Sequence, residues 1–570
     1  MGTFFQQMYN TVDTIIVGRL VGTEALAAVG ATGPLVSMVN GFFIGVSSGA
    51  TVVLSQAYGA GDRKGVSDSI HTGVALSLLL GVMLTAIGIC LGGRVMGWMG
   101  TPENCMADAT TYLRIYFAGS IGTVVYNMGA GILRAVGDSR RPLFFLISAT
   151  MTNIVLDVVF MKYLRTGVAG AAAASLLGNA AGILVVLPYL LSKKRTFRFV
   201  LRAGDLRETG RELASSCSSF ATDKASRIFS GLTVNLLLMY FVGNIGVALY
   251  AVYSQLRFIL RILAGGALQT ISTLGSMLYG ERDFYGLRKM LSLLSKYTYA
   301  LVAALMAGLS CFSAPFLNSY GIAAEPDTVL SLRIMLLSLP FLWLNDLLAR
   351  LYPSVQRQRL SVLLLTLQNV VLKILLLLLC VAAISRLHWR SVPAVAIWCL
   401  LVELLSPAVT LLREKRTCGN VALLGLEDQA DRSCHSFSIT GRAENVADIH
   451  REIDLFCQQN GIPRNKGVLL AIAFEEAALN IINHNEHVSM IDICLLLEEG
   501  SLIVRIRDDG APFDPLAFVD DEDILQMNNI RLLERLTDQK TYTRIMNMNN
   551  TVLSIRLEAA ENDGANDGTC

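Results

Sequence analysis

Long apolar runs separated by short polar turns fill the first 412 residues of this 570-residue chain. A helix needs about 20 consecutive apolar residues to cross the hydrocarbon core of a bilayer. Twelve segments are candidates, and the first of them is short. They cover residues 1–20, 25–57, 67–92, 112–136, 142–162, 168–191, 213–242, 246–279, 287–314, 329–352, 360–384 and 391–412. The pattern predicts a polytopic α-helical membrane protein.

A different pattern begins after a polar segment at residues 427–433. The stretch Leu-Ile-Val-Arg-Ile-Arg at 502–507 alternates as a half-buried strand does. The predicted elements are strands at 435–440, 488–498, 501–507 and 551–557 and helices at 443–460 and 464–484. This part is therefore predicted to be a soluble α+β sandwich with helices covering one face of a sheet.

The composition and the loop charges agree with lipid as the solvent of the first part. Charged residues make up 16% of the chain, whereas soluble domains carry about 25%. Polar turns at one end of the spans hold 19 Lys and Arg residues, and those at the other end hold six. The basic end is cytoplasmic by the positive-inside rule, and an even number of spans places the C-terminal domain there too. We predict a multi-pass protein of the bacterial inner membrane.

The apolar part contains an internal repeat. The segment Tyr58–Asp62 returns as Tyr279–Asp283, and Val21-Gly22 returns as Val242-Gly243, both at an offset of 221 residues. Two six-helix halves in parallel repeat are a transporter plan, with substrate held between them. The predicted domains are the halves 1–191 and 213–413, a cytoplasmic basic loop 192–212, a linker 414–434, the soluble domain 435–558 and a disordered tail 559–570.

Several motifs of the first part occur in the order found in one transporter family. Tyr9–Gly18, Gly59–Asp62, Leu133–Ser139 and the pair Asn153 and Asp157 resemble the multidrug and toxic compound extrusion (MATE) family, over about residues 3–412. The resemblance implies secondary active efflux of organic compounds, small organic cations foremost, by antiport with H⁺ or Na⁺. Because helix 1 of that family begins earlier, we expect that part of this helix precedes residue 1.

Four polar side chains of the first half are candidates for ion coupling. Asp13 and Asp157 are acids inside apolar spans, where an ionised carboxylate costs about 2.5–3.5 kcal/mol and is a functional candidate by default. Asn153 lies four residues before Asp157 on one helix face, and Ser175 lies in the following span. In the resembling family such a cluster binds H⁺ or Na⁺, although Asn153 and Ser175 are also typical of helix–helix hydrogen bonding. Lys373 either snorkels to the interface or lines the interior.

The soluble domain holds a second candidate site. Glu476, Asn480 and His484 share one helix face, which sets a carboxylate that can orient or deprotonate a nucleophile beside an amide that can ligate Mg²⁺. Asp508 and Gly510 then offer a carboxylate for an adenine amino group and a backbone without a side chain. The pattern resembles the GHKL ATPase superfamily, in particular the anti-sigma-factor serine kinases, over about residues 436–558.

This second resemblance implies ATP and Mg²⁺ as cofactors. Glu476 would be the general base, Asn480 the Mg²⁺ ligand and Asp508 the adenine contact. The phosphate lid of that superfamily would fall near 525–533, where this chain has no glycine. Asn529 would partly substitute, because Asn tolerates the left-handed backbone region better than most residues. We expect weak ATP binding, and serine-kinase turnover stays open.

Three functions remain open from the sequence. The first is ion-coupled efflux with a fused kinase-like regulatory module. The second is a membrane-tethered sensor whose ATP-binding domain acts on a cytoplasmic protein of the anti-sigma-antagonist type. The third is a flippase for a lipid-linked precursor, which Asp13 and Asp157 disfavour. The sequence holds no Walker A pattern for an ATP-driven pump, and we expect no nucleic-acid partner.

Overall fold

The computed structural model describes residues 16–191, 206–387, 391–418, 434–485, 488–498, 501–515, 537–545 and 548–556. The chain divides into two compact units, Met1–Ala422 and Leu423–Cys570. The predicted site residues Asp13 and Asn529, and the predicted tail 559–570, lie outside the described residues.

The first unit is built of helices. In chain order they are α1 Thr23–Gly59, α2 Arg63–Trp98, α3 Glu103–Ala118, α4 Ser120–Ala135, α5 Arg140–Val158, α6 Val168–Leu191, α7 Leu206–Phe241, α8 Asn244–Gly280, α9 Phe284–Cys311, α10 Ser313–Ser319, α11 Pro326–Leu336, α12 Leu339–Ser354, α13 Gln358–Thr366, α14 Leu372–Leu387 and α15 Ser391–Cys418. A π-helical turn follows α5 at Val159–Tyr163, and another follows α13 at Leu367–Val371.

The polytopic fold is confirmed. Within the described residues, eight helical segments are long and apolar enough to cross a membrane by length and composition. They are Thr23–Gly59, Arg63–Trp98, Arg140–Tyr163, Asn244–Gly280, Phe284–Cys311, Pro326–Ser354, Gln358–Arg386 and Val392–Thr417. Every predicted span from the second onward falls on one helix or on consecutive helices. The first predicted span is described only at residues 16–20, which are helical, so the number twelve stays a prediction.

The repeated segments meet at one helix crossing. Gly59 ends α1 and Gly280 ends α8, and α1 packs against α8. A Cβ placed on Gly59 would overlap the backbone carbonyl of Met277, and a Cβ placed on Gly280 would overlap that of Gln56. Residues 56 and 277 are themselves 221 apart, as are 59 and 280. The two close contacts are therefore copies of one another, and glycine is required because the backbones touch.

The rest of the repeated segment makes the turn into the next helix. Asp62 accepts hydrogen bonds from the backbone amides of Lys64 at 3.0 Å and Gly65 at 2.9 Å, which caps α2. Asp283 caps α9 in the same way, by accepting from Gly286 N at 2.8 Å. The sequence repeat is thus a repeated helix–turn–helix structure.

Two helices extend beyond the bounds predicted from the apolar pattern. α7 begins at Leu206, inside the predicted loop 192–212, and α15 continues to Cys418, inside the predicted linker 414–434. Glu414 explains the second extension, because this fully buried carboxylate bonds Arg357 Nη1 at 2.6 Å and accepts from Tyr352 OH at 3.0 Å. The polar character of Glu414 predicts the start of a linker, whereas its partners Tyr352 and Arg357 hold it inside the helix bundle.

In the part of the second unit that the structure describes, a five-stranded antiparallel sheet has helices on one face. Its elements are β1 Cys434–Thr440, a 3₁₀ turn Ala443–Asn445, α16 Ala447–Gln459, α17 Arg464–His484, β2 Met490–Glu498, β3 Ser501–Asp508, β4 Gln539–Ile545 and β5 Met548–Arg556. The strand order is β1-β2-β3-β5-β4. Buried apolar side chains of α16, α17 and the central strands form one core, in which Phe474 and Ile493 are fully buried. The predicted α+β sandwich is confirmed, and β4 is an additional strand.

Candidate functional sites

A polar cluster lies between α5 and α6 in the first unit. Asp157 is fully buried and Asn153, one helical turn earlier, is 2% exposed. Asn153 Nδ2 donates to Ser175 Oγ at 3.4 Å. The helices approach closely at Gly178, where a Cβ would lie 2.9 Å from Asn153 Cβ. The structure thus brings together three of the four residues predicted for ion coupling, and the fourth, Asp13, lies outside the described residues.

A second buried polar cluster, in the other half of the bundle, centres on Glu403 of α15. Glu403 Oε1 accepts from Tyr253 OH at 3.0 Å and lies 3.3 Å from Arg257 Nη1. Glu403 Oε2 accepts from Asn345 Nδ2 at 2.9 Å and from Gln368 Nε2 at 2.6 Å. A carboxylate has about four lone-pair positions. Both oxygens of Glu403 are therefore fully engaged.

Two more ion pairs extend this cluster toward α7. Asp346 accepts a bidentate pair from Arg261, Nε at 2.8 Å and Nη2 at 2.9 Å. Asp223 accepts from Arg227 Nε at 2.6 Å, and Arg227 Nη2 also lies 3.7 Å from Asp346. We refer to Asp223, Arg227, Arg257, Arg261, Asp346 and Glu403 as the C-terminal charge network.

The sequence interpretation missed this network. Arg257 and Arg261 lie in the predicted span 246–279, Asp346 in 329–352 and Glu403 in 391–412. The rule that marked Asp13, that ionisable residues inside a span are functional candidates, applies equally to these. The signal that could have identified the network is therefore charge inside an apolar run.

In the second unit, α17 presents the predicted nucleotide residues on one face. Asn480 is fully buried, and its Nδ2 donates to the backbone carbonyl of Pro515 at 2.9 Å. Glu476, one turn earlier, is half-buried. His484, one turn later, stacks on Phe513 with ring centroids 5.0 Å apart and planes at 7°. The contacts of Asn480 and His484 fix the segment that follows β3 against this helix.

Asp508 closes the other side of the site. It is 1% exposed, and its Oδ1 accepts from Gly510 N at 3.0 Å and from Asn549 Nδ2 at 2.8 Å. Burial raises the pKa of the Asp508 carboxyl, and these two hydrogen bonds oppose that shift. A Cβ on Gly510 would lie 2.8 Å from Asn485 Cγ, so no side chain fits there.

Asn549 and Arg544 are site residues that the sequence interpretation did not find. Asn549 is directly opposite Asp508 in the β3–β5 ladder and opposite Arg544 in the β4–β5 ladder. Arg544 Nη1 donates to Asn549 Oδ1 at 2.8 Å and to the Gly510 carbonyl at 3.0 Å. Only the pairing register brings these residues together, and the predicted strand 551–557 began too late to include Asn549.

The set fits a magnesium–nucleotide site. Within the described residues, both hydrogen bonds to Asp508 go to Oδ1, so Oδ2 remains as an acceptor for an amino group. Asn480 and Glu476 would face the phosphates and their metal ion from α17. The helix-and-sheet scaffold and this residue set together define an ATPase-type domain attached to a helical membrane unit.

Comparison with known proteins assigns both parts. Residues 1–159 match the MatE family model, and residues 439–556 match the histidine kinase-like ATPase domain. The chain therefore carries a MatE domain followed by a histidine kinase-like ATPase domain, and it is a multi-pass membrane protein. Both resemblances drawn from the sequence are confirmed at this level.

Individual relatives align with part of this chain. The probable multidrug resistance protein YpnP of Bacillus subtilis is 33% identical over 194 residues, which cover 34% of this chain and 44% of the relative. YoeA of the same organism, also a probable multidrug resistance protein, is 25% identical over 60% of this chain and 74% of its own. The FAD transporter of Shewanella oneidensis is 25% identical over 33% of this chain and 44% of its own. The alignment thus spans less than half of the first and third of these relatives.

Solved structures support the fold of the first unit. A crystal structure of MATE in the bent conformation superposes with a TM-score of 0.66 at 23% identity, covering 74% of this chain and 93% of that one. A multidrug resistance MATE family transporter in the outward-facing conformation gives a TM-score of 0.65 at 23% identity, with the same coverage. At this identity the likeness establishes the fold alone.

Proposed function

We propose that the membrane unit exports small organic solutes by antiport with H⁺ or Na⁺. The buried cluster of Asp157, Asn153 and Ser175 carries this proposal, because a carboxylate deep in a low-dielectric interior is expensive unless a cation or proton accompanies it. Asn153 and Ser175 would supply neutral oxygen ligands beside the carboxylate. Asp13, which lies outside the described residues, is proposed as the fourth member of this cluster on the family resemblance alone.

Export is proposed as an exchange at this cluster. Uptake of a proton or sodium ion at Asp157 neutralises the buried charge, and its release restores that charge. Two halves that rock about a shared seam would present the cluster to each side in turn, as parallel-repeat transporters do. The crossing of α1 and α8 at Gly59 and Gly280 is where that seam closes at one end.

The charge of the solute is a separate question. The sequence-based expectation was a small organic cation, by resemblance to efflux proteins. The relatives include probable multidrug resistance proteins and an FAD transporter, and FAD is an anion. Sequence similarity to these relatives therefore does not determine whether the solute is a cation or an anion.

The second unit is proposed to bind ATP with Mg²⁺ on the cytoplasmic side of a bacterial inner membrane. The excess of basic residues in the turns on that side supports the orientation. ATP would supply a phosphoryl group if turnover occurs, with Glu476 as the general base and Asn480 as the metal ligand. Asp508 would accept the adenine amino group beside Gly510. A regulatory role is favoured, because no Walker A motif offers a motor.

Transport by Asp157→Asn in proteoliposomes tests the antiport. An imposed pH or Na⁺ gradient should drive efflux of a dye such as ethidium, or of flavin mononucleotide, by the wild type. Asp157→Asn removes the titratable charge and should abolish that efflux, about tenfold or more, with normal membrane insertion. Asp108→Asn changes an exposed aspartate of α3 and is the matched control. Efflux by Asp157→Asn at the wild-type rate would refute the coupling role.

A further inference from the structure

One buried cation near the C-terminal charge network has no acidic partner in that network. Each of the network's three acids has an arginine as its nearest partner, and Asp346 also has Arg227 at 3.7 Å. The pairs are Asp223–Arg227, Asp346–Arg261 and Glu403–Arg257. Lys373 of α14 is a further buried cation and is 5% exposed. It is close enough to Arg257, Arg261 and Glu403 to interact with their charges. Within the described residues, no carboxylate lies within ion-pair distance of its ammonium.

Glu403 cannot take Lys373 as an additional partner. Arg257 and Tyr253 occupy one oxygen of Glu403, and Asn345 and Gln368 occupy the other. The Lys373 ammonium instead lies over the face of the Tyr250 ring, with Nζ 5.2 Å from the centroid. A cation–π contact offsets part of the cost of burying an ammonium. It supplies no acceptor for its three N–H donors.

The position of Lys373 removes the snorkelling interpretation. The apolar segment Gln358–Arg386 has 29 residues, so 15 residues precede Lys373 and 13 follow it. At 1.5 Å per residue its Cα lies about 20 Å from either end of the helix, beyond the reach of a lysine side chain. The π-helical turn Leu367–Val371 immediately before it directs Gln368 toward Glu403. Such turns are frequent at functional sites.

Further cations lie where α7 meets α1, along the seam between the two halves. The Lys224 stem packs on Gly41 of α1, where a Cβ would lie 3.0 Å from Lys224 Cδ. Arg350 lies over the Phe220 ring at 4.8 Å, and Phe220 itself packs on Gly45 of α1. Lys224, Arg350 and Lys373 thus add three cations to the three acid–arginine pairs of the C-terminal charge network.

We infer that the C-terminal half holds a binding subsite for an anionic group of the transported solute, a carboxylate or a phosphate, with Lys373 as its central cation. A buried charge is retained where something pairs with it, and the three acids of the C-terminal charge network already have arginine partners. The inference rests on the proposed export function and departs from the expectation of a cationic solute. It leaves the aspartate cluster of the first half for the coupling ion.

Equilibrium binding to the full-length protein in detergent tests the subsite with matched probes. Flavin mononucleotide and riboflavin differ by one phosphate, and indole-3-acetate and indole-3-acetamide differ by one carboxylate. The wild type should bind the anionic member of at least one pair about tenfold more tightly, the size expected of a charge-assisted contact. The pair whose two members bind with different affinities shows whether the subsite takes a phosphate or a carboxylate. Equal binding within both pairs would overturn the inference.

Variants at Lys373 then test whether this side chain causes the preference for the anionic probe. Lys373→Met should erase the anion preference while leaving binding of riboflavin and the amide within about twofold, and Lys373→Arg should retain it. Lys162→Met is the matched control, because Lys162 also lies over a tyrosine ring at a π-helical turn, 5.7 Å from Tyr163, but is exposed. Lys373→Gln is a second neutral variant in case methionine impairs folding. An anion preference that survives neutral replacement refutes the role of Lys373.

Transport separates this inference from the proposed function. Gradient-driven efflux of ethidium without any efflux of the anionic probes, and no effect of Lys373→Met, would leave the antiport intact and reject the anion subsite. Anion binding that depends on Lys373, with no gradient-driven efflux of any probe, would reject the antiport and keep the subsite.

Discussion

Asp508 accepts its hydrogen bonds from Gly510 and Asn549 at the same oxygen, Oδ1. An asparagine can reproduce both of these bonds with its own carbonyl oxygen. Its NH2 group would then take the place of Oδ2. Because this group and the adenine amino group are both hydrogen-bond donors, they could not bond to each other. We expect Asp508→Asn to weaken ATP binding about tenfold or more, measured with a fluorescent ATP analogue and the full-length protein.

The same substitution should not reduce the stability of the unliganded domain. Burial raises the pKa of Asp508, so its folded-state pKa exceeds its unfolded one. The contribution of this group to the free energy of unfolding is then greatest at low pH and is lost as the pH rises through the folded pKa. At neutral pH the neutral amide removes that cost, and the Tm of the domain should stay equal or rise. A large drop in Tm would show that the ionised carboxylate holds the fold together.

Individual site residues were predictable where the chemistry is local in sequence. Asn480 and Glu476 share a helix face through their spacing, and Asp508 stands at the end of an alternating strand. Asn549 and Arg544 were not predictable, because only the register of β5 against β3 and β4 places them beside Asp508. The charge network likewise depends on helix packing, which sequence spacing does not encode.

We propose that closure at one end of the bundle depends on the crossing of α1 and α8. Gly59 and Gly280 each admit the backbone of the opposite helix, and a methyl group there would force the helices apart. We expect Gly59→Ala and Gly280→Ala each to cost about 1–3 kcal/mol by overpacking, and to reduce efflux to a similar degree because the two contacts are copies. Tm and dye efflux in proteoliposomes measure both effects.

Two other glycines on the same helices are matched controls. A Cβ at Gly33 of α1, or at Gly266 of α8, would meet nothing within 4 Å. Gly33→Ala and Gly266→Ala should therefore leave Tm and efflux near wild-type values. If the crossing variants behaved like these controls, tight closure of the two helices would not be required for transport.

Element boundaries were predictable to the extent that apolar periodicity marks them. Helix α17 occupies residues 464–484, as predicted, because an apolar face runs through all of it. β4 escaped prediction because Gln539–Ile545 is mostly polar and pairs only with β5 at the edge of the sheet. The sequence pattern predicts loops at the start of α7 and at the end of α15, because the terminal turns of both helices are charged.

The chain joins a membrane unit and a soluble unit that have separate cores. The membrane unit contains its own proposed coupling cluster at Asp157 and its own proposed anion subsite at Lys373. We therefore propose that an ion gradient acting at residues of the membrane unit energises transport, and that the nucleotide domain modulates transport or acts on another protein.

Removal of the soluble unit tests that independence. A protein ending near residue 430 retains α15 with Glu414 and its partners Tyr352 and Arg357, so the membrane unit should fold. In vesicles energised only by an ion gradient, this protein should export dye at close to the full-length rate. The full-length variant Asn480→Ala should lose ATP binding and keep gradient-driven efflux. Loss of efflux on truncation, with unchanged expression and membrane insertion, would instead make the domain an obligate part of the transporter.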